Sequence, residues 1–231
     1  MPKTNTLARL RQGVWIALVA GVMLTDWAFA VVIAGVLAVA AVAFETRTPL
    51  RELGLARPAS ILRTIALGLG LGIVLVAFSK LLLTPIVEAI TGIPRDLSAF
   101  DDVRGDLAQF LAWMPRIWIG AAIAEELLFR GFLIGRLEAL FGGASRIATG
   151  VAVLLSSVAF GAAHGYQGPT GIGVTGVLGL TFALAYVASE RNLWVPIVAH
   201  GTYDTLALVL IATNFDRVLA DFVHRIIPVA H

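Results

Sequence analysis

The sequence contains no cysteine, which rules out disulfides, thiolate zinc sites and cysteine nucleophiles, and leaves the redox compartment undetermined. Charge is scarce as well: 14% of residues are Asp, Glu, Lys or Arg, where a soluble domain carries about 25%. The net charge of +2 is scattered at segment ends, with no dense basic stripe interleaved with aromatics of the kind nucleic acid needs. No stretch alternates as the strands of a membrane barrel must. There is no HExxH, no paired aspartates in a GxGD setting, and no serine in a nucleophile motif; Ser156 and Ser157 precede a histidine but lack that context. No internal repeat, low-complexity tract or linker stands out, so residues 1–231 read as one integral membrane domain.

What fills the chain is apolar: 58% hydrophobic residues and a mean hydropathy of +0.89. Hydrocarbon about 30 Å thick takes about 20 apolar residues per helical crossing, and only helices or closed barrels satisfy backbone polar groups in lipid. The expected fold is all-α, a polytopic transmembrane helical bundle of about seven passes. A first hairpin runs from Leu7 to Thr25 and from Trp27 to Phe44, turning near Asp26, with Arg9 and Arg11 snorkelling to the interface. Ala28, Phe29 and Ala30 resemble a signal-peptide cleavage site. A cut there would leave the apolar run VVIAGVLAVAAVAF as a new terminus, so continuous membrane structure is the better reading.

The third pass, Ile61 to Leu83, carries Gly68, Gly70 and Gly72, small residues suited to close helix approach. The joint TGIPRDLSAFDDVRGD follows, rich in aspartate and forming at most a short amphipathic piece. A fourth pass covers Leu111 to Leu133 and a fifth Ile147 to Ala163. The segment HGYQGPTGIGVTG is so rich in glycine that irregular buried backbone is expected there. A sixth pass from Gly173 to Ala188 and a seventh in LWVPIVAHGTYDTLALVLIA complete the bundle, with a weakly amphipathic tail from Asn214. Lys3, Arg9 and Arg11 precede the hairpin and Arg47, Arg51, Arg57 and Arg63 follow it. By the positive-inside rule the N-terminus is cytoplasmic.

Against this background six ionisable residues in or at the end of predicted passes matter most: Glu125, Glu126, Arg130, His164, His200 and Asp204. A charge at the centre of a spanning helix costs roughly 2.5–3.5 kcal/mol on insertion scales, and such residues face a bundle interior or a water cavity. Glu126 and Arg130 are four apart with the acid N-terminal, the favourable order for a pair, which leaves Glu125 turned about 100° away. His200 and Asp204 share the four-residue spacing, and so do Phe160 and His164, whose ring can wall a pocket beside the imidazole. Three helices thus each offer one polar face, as bundles do when they build internal sites. Structural alternatives exist for each alone: an interfacial salt-bridge cluster for the acids and arginine, packing hydrogen bonds for the histidines. Asp26, Lys80, Glu88 and Arg116 lack partners at motif spacing and are assigned to interfaces.

A glutamate, two histidines and an aspartate suit water activation, with a carboxylate as general base and a donor or a metal where negative charge develops. The motifs EELLFR at 125–130, FGAAH at 160–164 and HGTYD at 200–204 resemble the CPBP family: the type II CAAX prenyl endopeptidases and the Abi-type bacterial membrane proteases related to them. The resemblance covers about Gly120 to Leu210, which would form the catalytic core. It implies a membrane-embedded endopeptidase in which Glu125 activates water with help from His164. His200 and residue 204 would hold the second side of the site, and Glu126 and Arg130 would brace the helix. The substrate would be a membrane-associated protein or peptide, such as a prenylated CAAX tail or a bacteriocin-related peptide, reached through a cavity facing the cytoplasm.

The chain departs from the family pattern at Asp204, where asparagine is common. An ionised aspartate cannot donate to an oxyanion but can ligate zinc or position His200. A divalent metal such as zinc and a metal-free glutamate mechanism both stay open. So do two other classes: a non-catalytic membrane protein that binds a peptide or partner, as an immunity protein does, and a proton-coupled transporter. One geometric tension stands out. At about 1.5 Å per residue, His164 lies roughly 27 Å along its helix from the cytoplasmic end, but Glu125 only about 15 Å and His200 only about 10 Å. A straight fifth helix would miss the others unless it starts outside the lipid or breaks at Gly161 or Gly165.

Overall fold

The computed structural model describes residues 6–23 and 30–226, and all regular structure among them is helical. Lys3 and the expected turn at Asp26 lie outside the described residues. The first two helices, α1 (Thr6–Met23) and α2 (Ala30–Ala43), pack on one another, with Trp15 stacked on Phe44 at 5.9 Å. A single turn at Pro49–Glu52 leads to α3 (Ile61–Thr91), whose first turn is capped by Ser60 accepting from the Arg63 N–H. Glycines on one face of α3 let it close on the seventh helix, because a Cβ at Gly72 would fall 2.6 Å from the Thr202 Cβ. Gly68 meets Val198 in the same way, whereas Gly70 faces open space.

The next rod, α4, spans residues 107–140 without a break and is π-helical over Arg116–Glu125 and Leu127–Ile134. A similar wide stretch in α3, Ser79–Leu83, lies just before Pro85, and the long one in α4 lies just after Pro115. A proline has no N–H for the i→i−4 ladder, so wide turns beside it let the helix continue. Three more long helices follow: α5 (Arg146–Ala163), α6 (Gly168–Ala188) and α7 (Trp194–Ala212). The glycine-rich segment, expected as irregular buried backbone, instead departs from α-helix only at His164 and a 3-10 turn at Gly165–Gln167, where Gly165 and Tyr166 are exposed. The sixth helix starts five residues earlier than expected because Pro169 suits its first turn. Gly161 makes the close contact between α5 and α6, where a Cβ would meet the Ile172 carbonyl at 2.6 Å.

By length and composition, α3, α5, α6 with its preceding turn, and α7 can each cross a membrane, which makes this a multi-pass membrane protein. At 14 residues α2 is shorter than a full crossing, and α4 carries the charged motif. The exposed apolar faces of α3 and α5, including Leu62, Val74, Leu154 and Val158, are those a helix presents to lipid.

Two ends of the molecule differ in character. One gathers the start of α1, the end of α2, the end of α4 and the loop before α7. There Arg136 donates to Gln12 and Glu45, and Arg191 holds Glu138 through both η nitrogens. At the other end the joint 92–106 meets α8 (Phe215–His224), with Arg104 bidentate on Asp216 at 2.9 Å. Burial alone would raise the Asp216 carboxyl, but the Arg104 guanidinium holds it below its ordinary value. Asp216 in turn, aided by Asp101 and opposed by burial, raises the Arg104 guanidinium.

Candidate active site

The pair Glu126 and Arg130 forms as the spacing predicts, at 2.9 Å with both side chains wholly buried. Such a pair needs further partners for its remaining polar atoms, and the fold supplies some from other helices, while Glu126 Oε2 and Arg130 Nε have none among the described residues. Arg130 also donates to the Gly179 carbonyl of α6 at 2.9 Å, and its guanidinium lies 4.3 Å from the Phe160 ring centre. Glycine is required at 179, since a Cβ there would fall 2.8 Å from the Phe160 ring. Glu126 has a second partner that spacing could not reveal: His200 Nδ1, 2.8 Å away and 74 residues on.

His200 is thereby clamped. Its Nδ1 faces Glu126, its Nε2 faces Asp204 at 3.3 Å, and its ring stacks on Phe182 with centroids 4.7 Å apart. Both nitrogens point at carboxylate oxygens, an arrangement in which the imidazole acts as donor.

His164 is the residue that caps α5. Its Nδ1 sits 2.8 Å from the Phe160 carbonyl. A carbonyl only accepts, so Nδ1 carries the proton and a neutral ring leaves Nε2 as an acceptor. Phe160 packs against both imidazoles, at 4.7 Å from His164 and 5.8 Å from His200. The depth mismatch between Glu125 and His164 is narrowed by α4, which runs on to Leu140. At about 1.5 Å per residue Glu125 then lies roughly 22 Å along it, close to the 27 Å of His164 on α5. No break at Gly161 is involved, because α5 runs unbroken to Ala163.

Glu125, His164, His200 and Asp204 all line one cavity of about 870 Å³. Among them only Glu125 has a buried oxygen, Oε2, with no hydrogen-bond partner. A carboxylate oxygen left open beside an imidazole acceptor and an imidazole donor can bind and deprotonate water. As placed, the residues do not form a metal centre. Both His200 nitrogens and the His164 Nδ1 are occupied by protein oxygens, and no group of three or more His, Asp or Glu is set as ligands among the described residues.

Two residues assigned to interfaces from sequence turn out differently. Lys80 lines the cavity, and Glu88 is buried, accepting from His224 at 3.0 Å and from the Arg95 N–H; Arg116 also lines the cavity but is exposed, as an interface position is. A charge in the middle of a spanning run was the available signal for Lys80; nothing local marked Arg95, Phe182 or Gly179. The cavity also lies toward the joint 92–106, with Arg95, Phe100, Trp113 and Ile211 in its wall. That joint lies at the end opposite the start of α1, so the cavity lies away from the end at which α1 starts.

No curated protein and no solved structure matches the chain. A family model does, that of the type II CAAX prenyl endopeptidase Rce1-like proteins, over residues 107–206. That span contains the whole glutamate and arginine motif, Phe160 and His164, and His200 with Asp204. The chain therefore carries, over residues 107–206, a domain of the Rce1-like type II CAAX prenyl endopeptidase family, a family of CAAX-type intramembrane proteases.

Proposed function

We propose that the protein is an intramembrane endopeptidase that hydrolyses a peptide bond in a membrane-associated protein or peptide by a water activated at Glu125. The supporting observation is that Glu125 presents an unpartnered carboxylate oxygen in the same cavity as His164 and His200. Water sits between the Glu125 carboxylate and His164 Nε2, which accepts its second hydrogen. Glu125 removes one proton as the oxygen attacks the carbonyl carbon, and the carbonyl electrons move to its oxygen. The His200 Nε2–H holds that oxyanion, exchanging its 3.3 Å contact with Asp204 for the developing charge. Collapse breaks the C–N bond, and the leaving amine takes the proton back from Glu125. Asp204 then acts by orienting His200, which resolves the departure from asparagine without asking an ionised carboxylate to donate.

The test is direct. Purified protein in neutral detergent is incubated in heavy-oxygen water with a pool of N-acylated peptides, and products are sought by mass spectrometry. New C-termini carrying one heavy oxygen are expected. A protein that binds peptides from the pool and returns all of them intact is a receptor, the binding or immunity reading.

The chain as a whole reads as a single membrane domain in which α1, α2 and α4 complete seven crossings in the cell membrane. The arginines at 47, 51, 57, 63, 136, 146 and 191 share the end at which α1 starts, so that end is read as cytoplasmic, and the N-terminus with it. The cavity mouth then faces away from the cytoplasm, and a prenylated tail on the cytoplasmic face would reach it only in the inverted orientation. Because the chain has no cysteine, single cysteines report this cleanly. A membrane-impermeant maleimide should label Ser98→Cys in intact cells and Arg57→Cys only after lysis; the reverse pattern would favour the cytoplasmic tail as substrate.

A further inference from the structure

Buried arginines elsewhere in the molecule each have a carboxylate. Arg104 has Asp216, Arg130 has Glu126, and Arg136 has Glu45. The cavity wall breaks this pattern. Arg95 lines it with Nε and Nη2 both directed at Gln167 Oε1, at 2.8 and 2.5 Å. Gln167 is itself buried and fixed, its amide donating to the Tyr166 hydroxyl at 2.9 Å. A neutral amide orients a guanidinium without cancelling its charge, so Arg95 keeps its charge and its remaining N–H groups for something else.

Lys80 lines the same cavity from the π-helical stretch of α3, and it has no hydrogen bond or ion pair among the described residues. The acids at that end of the molecule are already committed: Glu88 to His224 and the Arg95 backbone, Asp216 to Arg104. Neither cation lies within ion-pair distance of Glu125 or Asp204 among the described residues. An ammonium set inside a spanning helix is expensive, and such residues pair or mark a substrate path.

We infer that Lys80 and Arg95 form an anion subsite that holds a carboxylate of the bound peptide, fixing the chain so that the scissile carbonyl lies beside Glu125. This rests on the peptide-hydrolase reading and adds to it a recognition element outside the three motifs. The carboxylate comes from the free C-terminus of the peptide or from an acidic side chain near the cut.

Binding to the Glu125→Gln protein in neutral detergent separates these cases without requiring cleavage. The probes are dodecanoyl pentapeptides of Ala, Leu and Val in three forms: a free C-terminal acid, a C-terminal amide, and an amide with one internal Glu. Affinity is read from quenching of tryptophan fluorescence, since Trp113 lies in the cavity wall. We expect the free acid to bind at least about tenfold more tightly than the plain amide, and Lys80→Met or Arg95→Met to remove that difference while Lys80→Arg retains it. Recovery of tight binding by the internal Glu places the carboxylate on a side chain within the same subsite. Equal binding of acid and amide, which needs no cation variant to observe, overturns the subsite alone. So does an acid preference that survives in the Lys80→Met, Arg95→Met double variant. Absence of binding by all three peptides overturns the peptide-hydrolase reading and the subsite with it.

Discussion

Two polar clusters in this molecule use the same residue types to opposite ends. At the basic end, Arg191 meets Glu138 through two nitrogens, Thr149 donates to the same carboxylate, and Arg136 and Arg11 share Glu45. Each of these three guanidinium groups has a carboxylate partner, and the arrangement ties α1, α2, α4, α5 and the loop before α7 together. In the cavity one carboxylate oxygen of Glu125 has no hydrogen-bond partner, and the Lys80 ammonium makes no hydrogen bond or close ion pair, among the described residues. The matched cluster is architecture; the unmatched one is where a reactant fits.

The difference can be broken from either side. The largest effect is expected at the hinge between the two behaviours, Glu126, whose Oε1 serves both Arg130 and His200 beside the site. Glu126→Gln leaves the buried Arg130 charge without its counter-ion and should destabilise the fold by about 3–5 kcal/mol, seen as a lower unfolding temperature in detergent. His164→Ala removes the acceptor for the second water hydrogen while leaving Phe160 in place. A loss of roughly a hundredfold in kcat with little change in unfolding temperature is expected for such a proton-handling group. Asp204→Asn retains a hydrogen bond to His200 and should lower kcat by about tenfold, about 1.4 kcal/mol; Asp204→Ala should be more severe.

Smaller effects belong to the matched cluster. Arg191→Met should cost no more than about 1 kcal/mol, since its side chain is 38% exposed and the pair is partly screened by water, and hydrolysis should be unaffected. The smallest is a pH effect on the tie between the joint 92–106 and α8. Asp216 is held below its ordinary carboxyl value of 3.8, so its contribution is complete above that value and is lost as pH falls through the lowered one. Acid unfolding of the wild type should therefore show a step below pH 3.8 that Asp216→Asn lacks.

How much of this could be read from residues alone follows the same division. Helices were legible because lipid demands long apolar runs, and the i, i+4 pairs were legible because helical periodicity puts them on one face. The expected pairing of Glu126 with Arg130 and of His200 with Asp204 follows from that periodicity. Contacts between helices leave no periodic trace, so the bond from His200 to Glu126 and the stacking on Phe182 were invisible. The fourth pass is expected to end at Leu133, yet the run RLEAL at 136–140 continues α4, where Arg136 and Glu138 find partners on neighbouring elements. That extension is what brings Glu125 level with His164. Lys80 was visible as a charge inside a pass, but snorkelling explained it equally well until the cavity wall was known.

The most direct measurement is cleavage of one peptide pool by the wild-type protein and by Glu125→Gln, side by side in heavy-oxygen water, with both proteins shown to unfold at the same temperature. A Glu125-activated water requires labelled products from the wild type and a loss on the order of a thousandfold in the variant. Comparable cleavage by the two would mean that the open carboxylate at 125 is not the base.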